Sequence, residues 1–329
     1  MDDALLGLSL VVILSVLARL SATWMRVPPI VPLLIIGMAV GVSGFGLVDP
    51  EKLLGESLSP IVQIAVGIIL FEGALGLKRE ELGSGVRGAV IRLITIGVVI
   101  TWFLATVSIA IFLDVPHEIA ILIGATVIVS GPTVVLPILD FIGPTEKVRS
   151  VLKWEGILID PIGAIIAVVV FGSFTNGQGG EFDIGELFAS LAVGGAVGVG
   201  GAVLMMPVLG TKRLAGRDKV AATLMVVVAS FAVSDTILAD SGLVATIVMG
   251  VALANQHRVR IDQVAEFKET LVPILVGILF VLLAANVDLG EVIDLGWKSL
   301  AVLLVLIFLA RPLAALTLIG LPFDWKEKL

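Results

Sequence analysis

The sequence predicts an all-α membrane protein, a polytopic bundle of transmembrane helices. Three observations support this. Of the 329 residues, 58% are hydrophobic and 15% charged, with a mean hydropathy of +1.14, whereas soluble domains are about half apolar and a quarter charged. The apolar residues form continuous runs near the ~20 residues that a ~30 Å bilayer core requires of a helix, not the alternating ~10-residue segments of a barrel. The basic residues also collect in every second loop.

Eleven apolar runs follow one another, at 4–24, 30–48, 58–77, 88–113, 118–139, 150–174, 184–209, 220–238, 241–256, 269–287 and 298–321. The first follows Asp2 and Asp3 instead of a basic stretch and has no obvious cleavage site, so it reads as a retained span. Loops after odd-numbered runs hold Arg26; Lys78, Arg79 and Arg87; Lys147, Arg149 and Lys153; Lys212, Arg213, Arg217 and Lys219; Arg258, Arg260 and Lys268; and Lys326 and Lys328. Loops after even-numbered runs hold only Lys52 and Lys298. In a plasma membrane, the positive-inside rule then puts the amino terminus outside and the residues after the eleventh run in the cytoplasm. The net charge of −7 does not point to nucleic acid. There is no Cys, and His117 and His257 fall in loops, so neither a thiolate nor a His-based metal site is expected.

The second and third runs have counterparts later in the chain. "VGIILF" at 66–71 resembles "VGILF" at 276–280, and "GMAVG" at 37–41 resembles "GVALA" at 250–254, at offsets of 210 and 213. The copies lie seven spans apart, an odd number, so the second is inverted, as in many secondary transporters whose sites sit on broken helices near the midplane. The same offset projects partners for the fifth and sixth runs beyond Leu329. The expectation is that the last two helices are lacking and that the sequence is a fragment, the alternative being a divergent second half.

In the fifth run, "ATVIVSGPTVVLPILD" places Gly131, Pro132 and Pro137 inside apolar sequence. Proline lacks the amide proton and crowds the carbonyl four residues back, so unwinding is expected near Ser130 to Thr133. An unwound stretch at this depth must face protein or a polar cavity. The sixth run, "WEGILIDPIGAIIAVVVF", contains Glu155, Asp160 and Pro161. Gly131 lies about 13 Å of helix from Asp140, and Asp160 about 10 Å from Lys153, so the two reach similar depth. Pro161 is expected to loosen the helix beside Asp160 by freeing the Ile157 carbonyl.

A lone carboxylate in the membrane marks a functional site. Desolvation disfavours the bare anion, and either a proton or a small cation neutralises it, so the two compete. If only the neutral complexes cross, cation exchanges for proton. Ser130 and Thr133 hydroxyls are suitable oxygen ligands beside Asp160, which would hold Na⁺ or K⁺. Glu155 points about 140° away from Asp160 around the helix and is instead the expected partner of Arg311, a buried cation in the eleventh run. That pair is expected to fix helices. Glu72 in "ILFEGALGL" is either a vestibule acid or an interfacial residue. Close packing by small residues explains "GGAVGVGGAV" at 194–203.

With these residues in view, the chain resembles the monovalent cation/proton antiporters, specifically the NhaP-like sodium/proton exchangers. The resemblance spans essentially the whole chain, through "LFEGAL", the proline-broken fifth run, "EGILID", "SGLVATIVMGVALAN" and "LARPL". It implies an NhaA/NhaP-like fold of thirteen helices with inverted repeats and crossing broken helices, a homodimer, and no cofactor beyond the transported ions. It also implies that Asp160 binds the cation, that Glu155 pairs with Arg311, and that Glu72 is the family's third-helix acid. Two departures stand out. Ser130-Gly131-Pro132 replaces the usual Thr-Asp-Pro, and Glu155-Gly156-x-x-Ile159-Asp160 replaces Glu-Ser-x-x-Asn-Asp.

The resulting expectation is an electroneutral antiporter working by alternating access, with Na⁺ preferred and K⁺ possible. Residues 1–83 form scaffold and dimerisation helices and 84–176 the ion-binding core. Residues 177–292 form a linker and further scaffold, and 293–329 begin the second core half. The alternatives are a cation channel or a non-transporting fragment. An enzyme is not expected: an intramembrane protease needs two convergent acids, and Asp235, the obvious partner for Asp160, belongs at the outer end of its helix.

Overall fold

A computed structural model describes residues 2–83, 85–175, 184–211, 213–259 and 262–322. Regular structure among these is helical throughout, as the continuous apolar runs require. The chain begins with α1 (Asp2–Met25), α2 (Ile30–Val40), a short α3 (Pro50–Leu54) and α4 (Leu58–Leu75). Next come α5 (Val86–Arg92) and α6 (Val98–Phe112), joined without a break by a π turn at Leu93–Gly97. They are followed by α7 (His117–Val127), α8 (Pro132–Ile142), α9 (Glu146–Thr175), α10 (Ile184–Gly210), α11 (Gly216–Ile237), α12 (Ser241–Ala254) and α13 (Asp262–Ala285). Then come α14 (Leu289–Asp294), α15 (Gly296–Val305) and α16 (Arg311–Leu316), the last two joined by a second π turn at Leu306–Ala310.

Among the described residues, seven helical stretches are long and apolar enough to cross a membrane, and four shorter apolar helices occupy the remaining predicted runs. The second run departs from expectation. It was expected to be helical to residue 48, but α2 stops at Val40. Beyond it the chain folds back, with the Leu47 and Val48 amides both donating to the Val40 carbonyl and the Val42 amide to Ala285. Gly46, at φ +65°, permits the reversal. Irregular backbone here is satisfied by other protein groups, the condition for tolerating it at such depth.

The repeat is visible in the packing. Helix α2 lies on α13, α12 lies on α4, and α4 meets α13 between them. A Cβ on Gly37 would stand 2.6 Å from the Ala284 Cβ and 2.9 Å from the Val281 carbonyl; one on Gly250 would stand 2.7 Å from the Ala74 Cβ and 2.6 Å from the Phe71 carbonyl. Gly37 and Gly250 are 213 residues apart, while Phe71/Val281 and Ala74/Ala284 are each 210 apart. The contact is therefore made twice, with the copies exchanged, as a pseudo-two-fold axis demands. The π turns at 93–97 and 306–310 obey the same 213-residue offset.

Small residues bring the helices close. Gly194, Gly198 and Gly201 of α10 lie against Ser241, Ala245 and Met249 of α12. A buried cluster of Leu70, Ala74, Leu77, Val90, Trp154 and Ile157 joins α4, α5 and α9. Outward-facing positions carry exposed Trp24, Phe103, Phe188 and Phe308, a surface suited to lipid.

Candidate cation site and vestibule

Helix α7 ends at Val127, residues 128–131 are not helical, and Pro132 opens α8. Unwinding was expected over Ser130 to Thr133, so it lies slightly earlier than the prolines suggested. The reason is that a proline at the first helical position loses no hydrogen bond and already holds the right φ. The Val134 and Val135 amides both donate to the Gly131 carbonyl, which closes the first turn of α8.

Helix α9 crosses this unwound segment. Gly156, Asp160 and Gly163, spaced four and three apart, share one face of α9. A Cβ on Gly156 would be 3.1 Å from the Ser130 carbonyl oxygen, and one on Gly163 would collide with the Val129 side chain. Asp160 therefore sits between two points at which α9 touches the break. Its half-buried carboxylate accepts no hydrogen bond and makes no ion pair among the described residues. Ser130 Oγ is also buried without a partner among them. Two oxygen-bearing groups on adjacent strands of chain are thus uncommitted. The side chains of Pro132 and Thr133 lie outside the described residues.

Glu155 differs from Asp160. Its Oε1 accepts from Arg311 Nη1 at 2.9 Å, and its side chain is 7% exposed. Arg311, expected as a buried cation, is 48% exposed. It opens α16, which packs on α6 and the two π turns, leaving part of the guanidinium uncovered. Pro161, grouped with Gly131 and Pro132 as a helix-breaking position and expected to loosen α9 beside Asp160, lies inside a continuous α9, so any loosening stops short of a break. One missing amide is not enough to unwind a helix that packs on α7 and α5 over its length.

Glu72 lines a cavity of about 710 Å³ with Arg19, Asp140, Arg149, Lys153 and Val276. Arg149 ties α9 to the end of α8, donating to Asp140 Oδ1 at 2.7 Å and the Leu139 carbonyl at 3.1 Å. Lys153 ties α9 to the end of α4, reaching Glu81 Oε1 at 3.1 Å and the Gly76 carbonyl. Asp160 is absent from the lining; it lies seven residues, about 10 Å, beyond Lys153 along α9. Ile157, fully buried against Gly73 of α4, fills the interval.

No cluster of three or more His, Cys, Asp or Glu suited to a metal occurs among the described residues. The sequence reading missed Gly163, Arg19 and Lys153. Glycines four before and three after an intramembrane acid would have been the signal for the close approach. An arginine inside the first apolar run would have been the signal for the cavity.

An unwound crossing segment beside an uncommitted acid, within helices paired about a pseudo-two-fold axis, is the architecture of the inverted-repeat class of secondary transporters. The chain belongs to the family described as "Sodium/hydrogen exchanger, transmembrane", which it matches over residues 10–329. It is 26% identical to the K(+)/H(+) antiporter NhaP of Alkalimonas amylolytica, an alignment covering 99% of this chain and 57% of that protein. It is 28% identical to Na(+)/H(+) antiporter 1 of Methanocaldococcus jannaschii, covering 98% of this chain and 78% of that one. The structure of the sodium proton antiporter MjNhaP1 from the same organism superposes with a TM-score of 0.81 at 24% identity, over 99% of this chain and 82% of that chain. The named relatives are transporters, not enzymes.

Proposed function

We propose that the chain exchanges a monovalent cation for a proton across the membrane by alternating access, electroneutrally, with Asp160 binding the two competitively. The observation that carries the reading is the contrast between the acids of α9. Glu155 is occupied by Arg311, whereas Asp160 faces the broken segment with no partner among the described residues. Ser130 and the oxygens around Gly131 complete the site, and Thr133 is assigned to it from the sequence. Na⁺ is the preferred ion and K⁺ the alternative, as the names of the two relatives span both. Glu72 draws cations into the vestibule. The Arg149 and Lys153 side of the molecule faces the cytoplasm of a cell whose plasma membrane holds the protein as a homodimer. Helices α5–α9 with α15 and α16 act as the ion-carrying core against the remaining scaffold.

The test uses full-length protein in vesicles containing a pH-sensitive dye. An imposed Na⁺ or K⁺ gradient should move protons, at a rate insensitive to membrane potential. Asp160→Asn should abolish the signal, and undiminished exchange in that variant refutes the assignment. Competition also predicts that the apparent KM for the cation rises about tenfold per unit fall in pH once the proton form dominates. A channel would instead pass current with no proton movement.

A further inference from the structure

A second cavity, of about 640 Å³, opens on the same side as the vestibule, between the loop after α4, the starts of α5 and α9, and the end of α12. Its wall holds Arg79, Arg87, Trp154, Leu82, Val251 and Ala252, with Asn255 and Gln256 at the α12 end. The amides at that end are already employed. Asn255 Oδ1 accepts from the Arg79 amide at 2.6 Å, and its Nδ2 donates to the Leu77 and Val251 carbonyls, each at 2.8 Å. Gln256 Oε1 accepts from the Arg258 and Val259 amides at 2.8 and 2.9 Å. The Asn255 bonds fix the loop after α4 to the end of α12, while the Gln256 bonds stay within the turn that follows α12.

What remains in the wall is a pair of exposed guanidinium groups, Arg79 and Arg87. Neither the Arg79 nor the Arg87 guanidinium makes an ion pair among the described residues. Glu81, in the same loop, is held by Lys153. Trp154 is 5% exposed, and its Nε1 is buried with no hydrogen-bond partner among the described residues. Two guanidinium forks match the geometry of oxyanions, and apolar walls with a few convergent polar groups are the ordinary form of a small-molecule site, as is a volume of roughly 300–1,000 Å³.

We propose that this cavity binds a phosphate-bearing anion, its oxygens on Arg79 and Arg87 and any apolar part against the Trp154 ring, Leu82, Val251 and Ala252. The site joins α5 and α9 to α12, so a bound anion holds α9, the helix that carries Asp160, against α12. Binding does not depend on the exchange reaction and is measured without it.

Purified full-length protein is titrated with inorganic phosphate in phosphatidylcholine nanodiscs, and in parallel reconstituted with and without phosphatidylglycerol. The readouts are Tm and tryptophan emission. The expected result is a Tm rise of several degrees with one of the two phosphate sources, lost in the Arg79→Gln/Arg87→Gln variant. The rise should be partly retained in each single variant and fully retained in Arg258→Gln, whose side chain lies outside the cavity. Trp154→Phe should remove the emission change. A response to phosphatidylglycerol alone assigns the anion to a lipid headgroup, and a response to free phosphate assigns it to a soluble ligand. Absence of both responses, or an equal response in the double variant, overturns the proposal.

Discussion

Glu155 and Asp160 sit on one helix, five residues apart, in different circumstances. The spacing already shows this, because five residues turn a helix through about 140° beyond a full circle. Glu155 therefore meets Arg311 while Asp160 shares the Gly156 and Gly163 face. What the spacing cannot show is how the partners divide their exposure. Glu155 is almost wholly enclosed, whereas about half of the Arg311 side chain is open. Losing a partner costs most when the charge left behind is buried. Arg311→Gln strands a buried carboxylate and should destabilise by about 3 kcal/mol. Glu155→Gln leaves a guanidinium with an exposed flank and should cost about 1 kcal/mol. Thermal unfolding of the two variants and of the double variant checks the order. The double variant should be more stable than Arg311→Gln alone. Equal losses would mean that Arg311 is as enclosed as Glu155.

At the scale of elements, the sequence correctly placed a break in the fifth run, whereas the sixth run, also carrying a proline, stays one continuous helix. Both readings rested on proline. In the fifth, Gly131 precedes Pro132, so the chain can leave the helix and re-enter at a position where proline fits. In the sixth, Pro161 has no such companion and α9 continues through it. The consequence is testable. Pro161→Ala restores one amide donor to an intact helix and should raise Tm by a few degrees, with exchange kept within about threefold; a proline in a helix interior costs up to ~3 kcal/mol, of which part is recovered. Gly163→Ala should behave differently. Its methyl group would press on Val129 and push the unwound segment away from Asp160. The expected outcome is a several-fold rise in apparent KM for the cation with a smaller change in Tm, read from exchange at graded cation concentrations. The sequence did not disclose this contact, since a glycine's neighbour depends on how a second helix is placed.

For the whole molecule, the two short sequence matches correspond to a structural relation that their brevity alone could not establish. Their offsets differ by three residues, and that difference reappears in the packing: Gly37 with Ala284 and Val281, Gly250 with Ala74 and Phe71. Conservation of the contact while most of the surrounding sequence differs implies that close approach of backbone to backbone at these two points holds the halves together. The seam then responds symmetrically to a methyl group on either side. Alanine favours the helix by about 1 kcal/mol over glycine, but forcing an extra carbon against carbonyl oxygens costs about 1–3 kcal/mol. Gly37→Ala and Gly250→Ala should both lower Tm, and by similar amounts, since each meets one carbonyl and one alanine. Gly195 of α10 has no atom within 4 Å of its would-be Cβ, so Gly195→Ala should leave Tm unchanged or raise it. Thermal unfolding of the three variants in one detergent decides the matter. If Gly37→Ala and Gly250→Ala differ as much from each other as from Gly195→Ala, the two contacts are not equivalent and the seam is not the shared device of the two halves.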